Sequence, residues 1–138
     1  VTTPQDMALA DVRKGADMFT KVNTPVLGVI ENMSGLSING SLSELNKDTK
    51  LEVNGKNIEI SKEGKFNVVL DLFKKGGGEI ESKRLDVPLL GKIPILERIM
   101  LATDDGVPIT AQETDSSSKI FYTRITENLL IQIDFQSK

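Results

Sequence analysis

The sequence predicts an α/β fold, because segments with helical periodicity alternate with short apolar segments that are typical of buried strands. Residues 4–22 carry apolar side chains at spacings of three and four, and residues 26–30 (Val-Leu-Gly-Val-Ile) form an apolar run that is too short for a helix. A run of this kind after a helix indicates a parallel strand that is covered on both faces. We therefore expect three layers around a short parallel sheet, with residues 26–30 at its centre.

Four helices are expected along the chain. The first, residues 4–22, follows Thr3, which is a suitable N-cap, and the last covers residues 117–131. Each of these two helices should bury one apolar face on the sheet. The side chains expected in these faces are Leu9, Val12, Phe19, Ile125 and Leu129. Shorter helices are expected at residues 79–86 and 95–103.

The expected sheet is narrow. Residues 87–94 read as a second core strand that ends at a proline, and residues 1–3 read as the end of a third strand. An average sheet has about five or six strands. The shortage of strands and the abrupt apolar start at Val1 both indicate part of a doubly wound domain, with further chain expected upstream.

The middle of the chain, residues 35–75, has a different character and is rich in Asn, Ser, Lys and Gly. Residues 50–60 alternate apolar and polar side chains around Asn54-Gly55, which is a strong β-hairpin signal. Residues 66–73 fit either a third strand or a short helix. We interpret residues 35–75 as an insertion on the α/β core.

The composition narrows the classes of function. The formal charge of −3 provides no basic surface for a nucleic acid, and no apolar run reaches the roughly 20 residues that a membrane span needs. The sequence contains no cysteine and no histidine, so the usual ligands of zinc and iron–sulfur clusters are absent and no metal site is predicted. No leader sequence precedes the first helix, which fits a cytoplasmic protein.

Three consecutive glycines, residues 76–78, resemble a phosphate-binding loop only superficially. A P-loop needs spaced glycines followed by Lys and Ser or Thr at the start of a helix, whereas Lys74 and Lys75 precede these glycines. We interpret residues 76–78 as a flexible return from the insertion to the core.

Two stretches of the chain resemble one protein family. In the first, residues 1–15 (Val-Thr-Thr-Pro-Gln-Asp-Met-Ala-Leu-Ala-Asp-Val-Arg-Lys-Gly) are followed by residues 25–34 (Pro-Val-Leu-Gly-Val-Ile-Glu-Asn-Met-Ser). The second combines the triple glycine and Glu79 with residues 87–94 (Val-Pro-Leu-Leu-Gly-Lys-Ile-Pro) and 105–109 (Asp-Gly-Val-Pro-Ile). Both are similar to the C-terminal half of Mrp/ApbC-like proteins, the iron–sulfur cluster carrier ATPases of the MinD and nitrogenase-iron-protein superfamily.

The resemblance implies a division of the chain. Residues 1–34 and 76–138 correspond to the C-terminal half of a P-loop ATPase-like domain, and residues 35–75 to the insertion. The Walker A motif, the switch segments and the catalytic carboxylate of the family lie upstream of the matching region, so no catalytic residue is expected here. Many members also carry Cys-x-x-Cys shortly after the Glu-Asn-Met-Ser stretch, a position that the cysteine-free insertion occupies in this chain.

Four residues are candidates for a nucleotide site on the adenine side. Asn32 follows a buried strand, and strand ends of this kind line the ligand crevice of open α/β sheets. By resemblance, the Asn32 amide reads the adenine edge, since it can both donate and accept a hydrogen bond; the alternative is an Asn that only ends a strand or caps a turn. The resemblance also implies that Ile93, Pro94 and Ile95 pack on the adenosine, although an ordinary strand that ends at a proline would look the same.

Together these observations predict a C-terminal part of a Mrp-like, ATP-binding iron–sulfur cluster carrier that lacks the phosphate side. This chain alone is then expected to bind ATP weakly or not at all, to be inactive as an ATPase and to hold no Fe–S cluster. We expect a homo-oligomer, most simply a dimer, with iron–sulfur assembly proteins as partners and neither nucleic acid nor membrane. The main alternative is a non-catalytic interaction or self-association module; a partition-type ATPase with a membrane-binding tail fits less well.

Overall fold

A computed structural model of the chain describes residues 1–46, 48–112 and 116–136. Within these ranges four strands follow the first helix, a fifth strand lies between the second and third helices, and one 3-10 turn, Ile109–Ala111, precedes the last helix. The elements are α1 Asp6–Lys21, β1 Val29–Ser41, β2 Leu51–Val53, β3 Lys56–Ile58, β4 Lys65–Leu70, α2 Gly77–Leu85, β5 Leu89–Ile95, α3 Glu97–Asp104 and α4 Ser116–Gln136. The α/β class is therefore confirmed.

The main sheet contains three strands in the order β4-β1-β5. β1 pairs with β5 in parallel orientation, as expected of these two core strands, and with β4 in antiparallel orientation. The sheet is therefore mixed, because a strand of the middle segment joins it. β4 follows β1 without an intervening helix, and a parallel pairing needs a long crossover connection. Thr2 forms a parallel bridge with Glu31 on the edge of β1 opposite β5.

β1 is the central strand, as expected, but its position differs from the prediction. It starts at Val29 and continues to Ser41, whereas residues 26–28 are not part of a strand. A kink divides it, because Met33 and Gly35 have φ angles of 57° and 143° and the pairing with β5 shifts between Asn32 and Leu36. The polar residues after Ile30 therefore bend the strand and do not end it.

α1 begins at Asp6 and has Gln5 as its N-cap residue, without a side-chain hydrogen bond at the cap. The prediction that Thr3 caps the helix was wrong, because the Thr3 hydroxyl is buried and has no hydrogen-bond partner in the described part of the chain. Leu9 is buried and Val12 is half-buried, as expected of the inner face. Phe19 is 44% exposed, contrary to expectation. Arg13 and Asp17 form contacts with α2, and Phe19 lies on a different side of α1 from these two residues.

α4 packs on β5 through Ile125, which is buried. A methyl group added to Gly91 of β5 would lie 2.5 Å from Cγ1 of Ile125, so the glycine permits close approach of helix and strand. Leu129, the other residue expected in this face, is half-buried. The predicted contact of the last helix with the sheet is thus present.

Helices lie on both faces of the β1–β5 pair. The side chain of Lys92 contacts Glu79 of α2, whereas the neighbouring Gly91 faces α4. Because successive residues of a strand point to opposite faces, α2 and α4 lie on opposite sides of the sheet. None of the helices in the described ranges has the combination of length and apolar character that would let it cross a membrane.

The middle segment contains the hairpin that the sequence predicts. β2 and β3 pair in antiparallel orientation, and Asn54 and Gly55 both have positive φ, at 50° and 74°, as a type I′ turn requires. Of the two interpretations left open for residues 66–73, the strand is correct, since β4 covers Lys65–Leu70. β4 extends the sheet along the second half of β1 and places the middle segment beside the kink.

Candidate functional site

The three glycines before α2 form a tightly packed helix start. Gly76 is the N-cap residue in the left-handed conformation, and Gly77 and Gly78 are buried in the first turn. A methyl group on Gly77 would lie 3.0 Å from the Pro4 Cα atom, and one on Gly78 would lie 2.8 Å from Cβ of Glu31. The expectation of a flexible return was therefore wrong, because these residues let α2 approach β1 and α1 closely.

Glu31 lies at the centre of this contact with its carboxylate buried. The backbone N–H of Gly78 donates a hydrogen bond of 2.6 Å to Oε2 of Glu31. A carboxylate at the N-terminus of a helix is stabilised by unpaired N–H groups and by the helix dipole. Lys92 Nζ lies 3.9 Å from Oε1 of Glu31, so β1, β5 and α2 meet at this residue.

Lys92 also bonds to α2. Its Nζ donates a hydrogen bond of 2.8 Å to Oε1 of Glu79. That hydrogen bond raises the pKa of Lys92 against the opposing effect of burial, with a smaller contribution from Glu31, and it lowers the pKa of Glu79. The lysine is therefore fully protonated at neutral pH and connects β5 to α2.

A second buried carboxylate joins α1 to α2. Glu81 is fully buried, and it accepts hydrogen bonds from Nε of Arg13 and from Nε of Arg84, the latter at 2.7 Å. Arg84 also forms an ion pair with Asp17 at 3.0 Å. Burial raises the pKa of Glu81, but the two arginine hydrogen bonds outweigh it and the pKa is lowered overall.

Asn32 lies at the carboxyl end of the first half of β1. Its backbone N–H donates to the carbonyl oxygen of Thr2 at 2.7 Å, and its side-chain Oδ1 accepts a hydrogen bond of 2.9 Å from the N–H of Met33. The side chain is exposed. Among the described residues, none accepts a hydrogen bond from the Asn32 amide nitrogen, so its donor groups face solvent.

The structure brings the other three candidates close to Asn32. Ile93 is the direct parallel partner of Asn32, and Ile95 pairs with Leu36 beyond the kink. Ile93 and Ile95 are half-buried, whereas Pro94 is buried. Since alternate residues share a face, Ile93 and Ile95 present apolar surface on the face of Asn32, and the Pro94 side chain points to the opposite face.

The two buried carboxylates were missed by sequence reasoning. Glu31 directly follows the apolar run of residues 26–30. A charged side chain next to a buried strand needs a partner, so this position could have indicated a buried carboxylate. Glu81 gave no comparable signal, because its partner Arg13 lies on another helix 68 residues away in the sequence. Both residues hold the elements around Asn32 in place without facing the solvent at the site.

No metal site was predicted, and the described residues contain no group of three or more His, Cys, Asp or Glu side chains that could hold a metal ion. Two acidic residues that precede α4 in the sequence, Glu113 and Asp115, lie outside the described residues.

Comparison with known proteins adds family information to this geometry. The family model of the NUBPL iron-transfer P-loop NTPases matches residues 1–50 and 42–130, and these ranges include the middle segment. The chain therefore belongs to this family.

Three curated relatives illustrate the similarity. The iron–sulfur cluster transfer protein NUBPL of Dictyostelium discoideum is 31% identical over 134 residues, which are 97% of this chain and 34% of the relative. The iron–sulfur cluster carrier protein of Synechocystis is 35% identical over 129 residues, 94% of this chain and 30% of the relative. The cytosolic Fe-S cluster assembly factor NUBP2 homolog of Trichoplax adhaerens is 29% identical over 130 residues, 94% of this chain and 40% of the relative. The chain thus spans between 30% and 40% of the length of these relatives.

Proposed function

We propose that this chain is the C-terminal part of a Mrp-like, ATP-binding iron–sulfur cluster carrier and that it supplies the adenine side of the nucleotide site. The names of the relatives, which describe a cluster carrier, a transfer protein and a cytosolic assembly factor, support this role and a cytoplasmic location. The arrangement of helices on two faces of the β1–β5 pair supports a partial doubly wound domain. In this proposal, residues 35–75 form an insertion on that domain.

The juxtaposition of Asn32 with Ile93 carries the proposal. The exposed amide of Asn32 has donors that face solvent, and Oδ1 keeps a second lone pair beside its hydrogen bond from Met33. Such an amide can donate to a ring nitrogen of adenine and accept from the exocyclic amine. The adjacent apolar surface of Ile93 and Ile95 would contact the face of the base, and the backbone of Pro94 would position both side chains.

The phosphates of ATP would find few partners in this chain. Its 138 residues contain no Walker A sequence, and glycines 76–78 are occupied in packing α2 against β1. Much of the affinity for a nucleotide comes from phosphate contacts and Mg²⁺. We therefore propose weak nucleotide binding and no hydrolysis by this chain alone. An Fe–S cluster does not fit it either, because the sequence has no cysteine and no histidine to ligate iron.

Titration with adenosine, followed by NMR, tests the proposal at the millimolar concentrations that weak binding needs. We expect saturable shifts of the Asn32 side-chain amide and of the Ile93 and Ile95 methyl groups. Guanosine should shift them less, because its exocyclic oxygen and ring N–H reverse the donor and acceptor positions that Asn32 would read.

Two variants sharpen this test. Asn32→Ala should abolish the adenosine-dependent shifts of Ile93, whereas Asn57→Ala on the exposed side of β3 should leave them unchanged. Equal shifts with guanosine, or shifts that persist in Asn32→Ala, would show that the amide does not read the base, and the proposal would fail.

A further inference from the structure

The dipeptide Asn-Gly occurs twice in the sequence, at residues 39–40 and 54–55. This dipeptide is chemically reactive, because the backbone nitrogen of the glycine can attack the side-chain amide carbon of the asparagine and no Cβ atom hinders its approach. Both asparagine side chains are exposed, so access to water does not distinguish the two positions. The backbone around them differs, and this difference decides which of them can react.

Asn54 and Gly55 form the turn between β2 and β3. The pairing of Val53 with Lys56 closes this turn, so the hydrogen bonds of the hairpin leave the Asn54–Gly55 peptide unbonded. Within the part of the chain that the structure describes, neither the N–H of Gly55 nor the side chain of Asn54 forms a hydrogen bond. A Cβ atom on Gly55 would meet nothing within 4 Å. The attacking nitrogen and the amide can therefore approach each other without loss of a contact.

Asn39 and Gly40 lie inside β1, where the backbone is paired with β4. The N–H of Leu42 donates a hydrogen bond to the carbonyl oxygen of Gly64, and bonded pairs alternate along an antiparallel ladder. Gly40 and its partner Phe66 therefore form a bonded pair, in which the N–H of Gly40 is a donor. The ring of Phe66 also covers Gly40, since a Cβ atom on this glycine would overlap it.

The side chain of Asn39 is held as well. Its Oδ1 accepts a hydrogen bond of 2.6 Å from Nδ2 of Asn67, which also donates to Oγ of Ser37 at 2.9 Å. Reaction at Asn39 thus requires this bond and the backbone bond of Gly40 to open first. The turn at residues 54–55 has no such bonds to lose.

We propose that Asn54 is a site of spontaneous modification, at which the side-chain amide is converted to a carboxylate. The nitrogen of Gly55 forms a bond to Cγ of Asn54, the bond from Cγ to the side-chain nitrogen breaks, and ammonia leaves with the proton of the Gly55 N–H. Water then opens the resulting cyclic imide. Cleavage between the glycine nitrogen and Cγ gives aspartate, whereas cleavage between this nitrogen and the backbone carbonyl carbon gives isoaspartate. Water is the co-reactant, and no oxidant or reductant is needed.

The two products affect the hairpin differently. Aspartate keeps the main chain unchanged, and Asp-Gly also suits a type I′ turn. Isoaspartate places the Cβ atom of residue 54 in the main chain, so the turn becomes longer and the pairing of Val53 with Lys56 should be lost. The site lies in the middle segment and stands without the adenine site proposed above.

Peptide mapping by mass spectrometry tests the proposal on the full chain after incubation of the folded protein at mildly alkaline pH. We expect aspartate and isoaspartate to accumulate at residue 54. At residue 39 they should form more slowly by about tenfold or more, because two hydrogen bonds must open there first. In urea that unfolds the chain, the two positions should react at similar rates, since each asparagine follows a β-branched residue.

Variants test the role of Gly55 and the fate of the turn. Gly55→Ala should suppress the reaction at Asn54, because the methyl group hinders the attacking nitrogen whether or not the hairpin remains formed. Gly15→Ala, inside α1, is the matched control and should leave the reaction unchanged. Asn54→Asp should keep the NMR contacts between β2 and β3, whereas the isoaspartyl protein, separated by chromatography, should lose them.

Three results would overturn the proposal. The first is an equal rate at residues 39 and 54 in the folded protein, because the fold would then not select the site. The second is a reaction at Asn54 that the fold slows as much as the reaction at Asn39. The third is formation of aspartate without isoaspartate at residue 54, which would indicate direct hydrolysis of the side chain without participation of Gly55.

Discussion

The carboxylate of Glu31 accepts a hydrogen bond of 2.6 Å from the backbone N–H of Gly78, which joins the central strand to the first turn of α2. The contact has no space for a side chain on the helix, because a Cβ atom on Gly78 would lie 2.8 Å from Cβ of Glu31 and 3.1 Å from Leu89. The glycines at the start of α2 therefore serve close packing beside Asn32.

Substitution of Gly78 by alanine tests this packing. The added methyl group must push apart Glu31 and Leu89, and overpacking of this kind typically costs about 1–3 kcal/mol. We expect Gly78→Ala to lower the free energy of unfolding by that amount in urea denaturation, with an unchanged m value.

Gly15 provides the matched control. It lies inside α1, and a Cβ atom at that position would meet no atom within 4 Å. Gly15→Ala should therefore raise the free energy of unfolding by about 0.5–1 kcal/mol through helix propensity. Equal effects of the two substitutions would contradict the packing role of Gly78.

Much of the fold could be predicted from the sequence, and the reasons for the failures are specific. Local periodicity was enough to identify α1, α4 and the Asn54-Gly55 hairpin, because these depend on side chains close in sequence. The antiparallel position of β4 and the exposure of Phe19 depend on contacts between distant segments, which periodicity does not encode. For the site, the end of a buried strand predicted where Asn32 would lie, whereas the partners of Glu31 became visible only with the packing of α2.

The buried carboxylate of Glu81 predicts a stability that depends on pH. The pKa of Glu81 is lowered below its ordinary 4.5, so in the unfolded chain the group binds a proton more readily than in the folded one. The stabilisation is then complete above about pH 4.5 and is lost as the pH falls through the lower folded pKa. We expect the free energy of unfolding to decrease over that acidic range, and thermal denaturation between pH 3 and 7 measures it.

Glu81→Gln removes the charge while preserving the shape. The amide NH2 group would face one of the two arginine donors, Arg13 or Arg84. We therefore expect the free energy of unfolding to decrease by about 1–3 kcal/mol at neutral pH. The variant should also lose less stability in acid than the unmodified protein. Glu127→Gln changes an exposed position of α4. Its free energy of unfolding should lie within about 0.5 kcal/mol of that of the unmodified protein, and it should decrease in acid to the same extent. The same acid profile in Glu81→Gln would show that other carboxylates cause it.

The chain alone is expected to show no ATP hydrolysis above background. Its sequence contains no Walker A motif and therefore no Walker lysine to hold the γ-phosphate. Phosphate release at saturating ATP and Mg²⁺ measures this. Turnover that disappears in Asn32→Ala would demonstrate an active site in this chain and overturn the expectation.

No Fe–S cluster should assemble on the chain under anaerobic reconstitution with iron and sulfide. Thiolate is the usual cluster ligand, and the sequence has neither cysteine nor histidine. The visible absorption spectrum after desalting is the measurement. A stoichiometric absorption typical of a cluster would require oxygen ligands alone and would contradict this prediction.

The last prediction is self-association through the sheet edge at Thr2. Thr2 pairs with Glu31 on one side, and its other edge has no strand in the described ranges. Met18 and Phe19 of α1 and its C-cap residue Val22 are exposed at 55%, 44% and 61%, so apolar surface is present at the C-terminal end of this helix. Exposed apolar surface and a free strand edge both favour pairing with another chain, and a twofold dimer is the commonest closed arrangement.

Sedimentation velocity over a micromolar concentration range should therefore detect a dimer. Phe19→Glu places a charge in the proposed contact and should shift the equilibrium toward monomer by about tenfold or more, since burying an unpaired charge costs several kcal/mol. Ile131→Glu alters another exposed apolar position, 61% exposed on α4, where no contact is expected, and should leave the dimer intact. Dissociation by Ile131→Glu alone would move the interface to α4. A variant at Asn54-Gly55 that dissociates the dimer would assign the contact to the hairpin. A stable monomer at all concentrations would contradict the prediction, because the Thr2 edge and the α1 surface would then be stable while exposed to solvent.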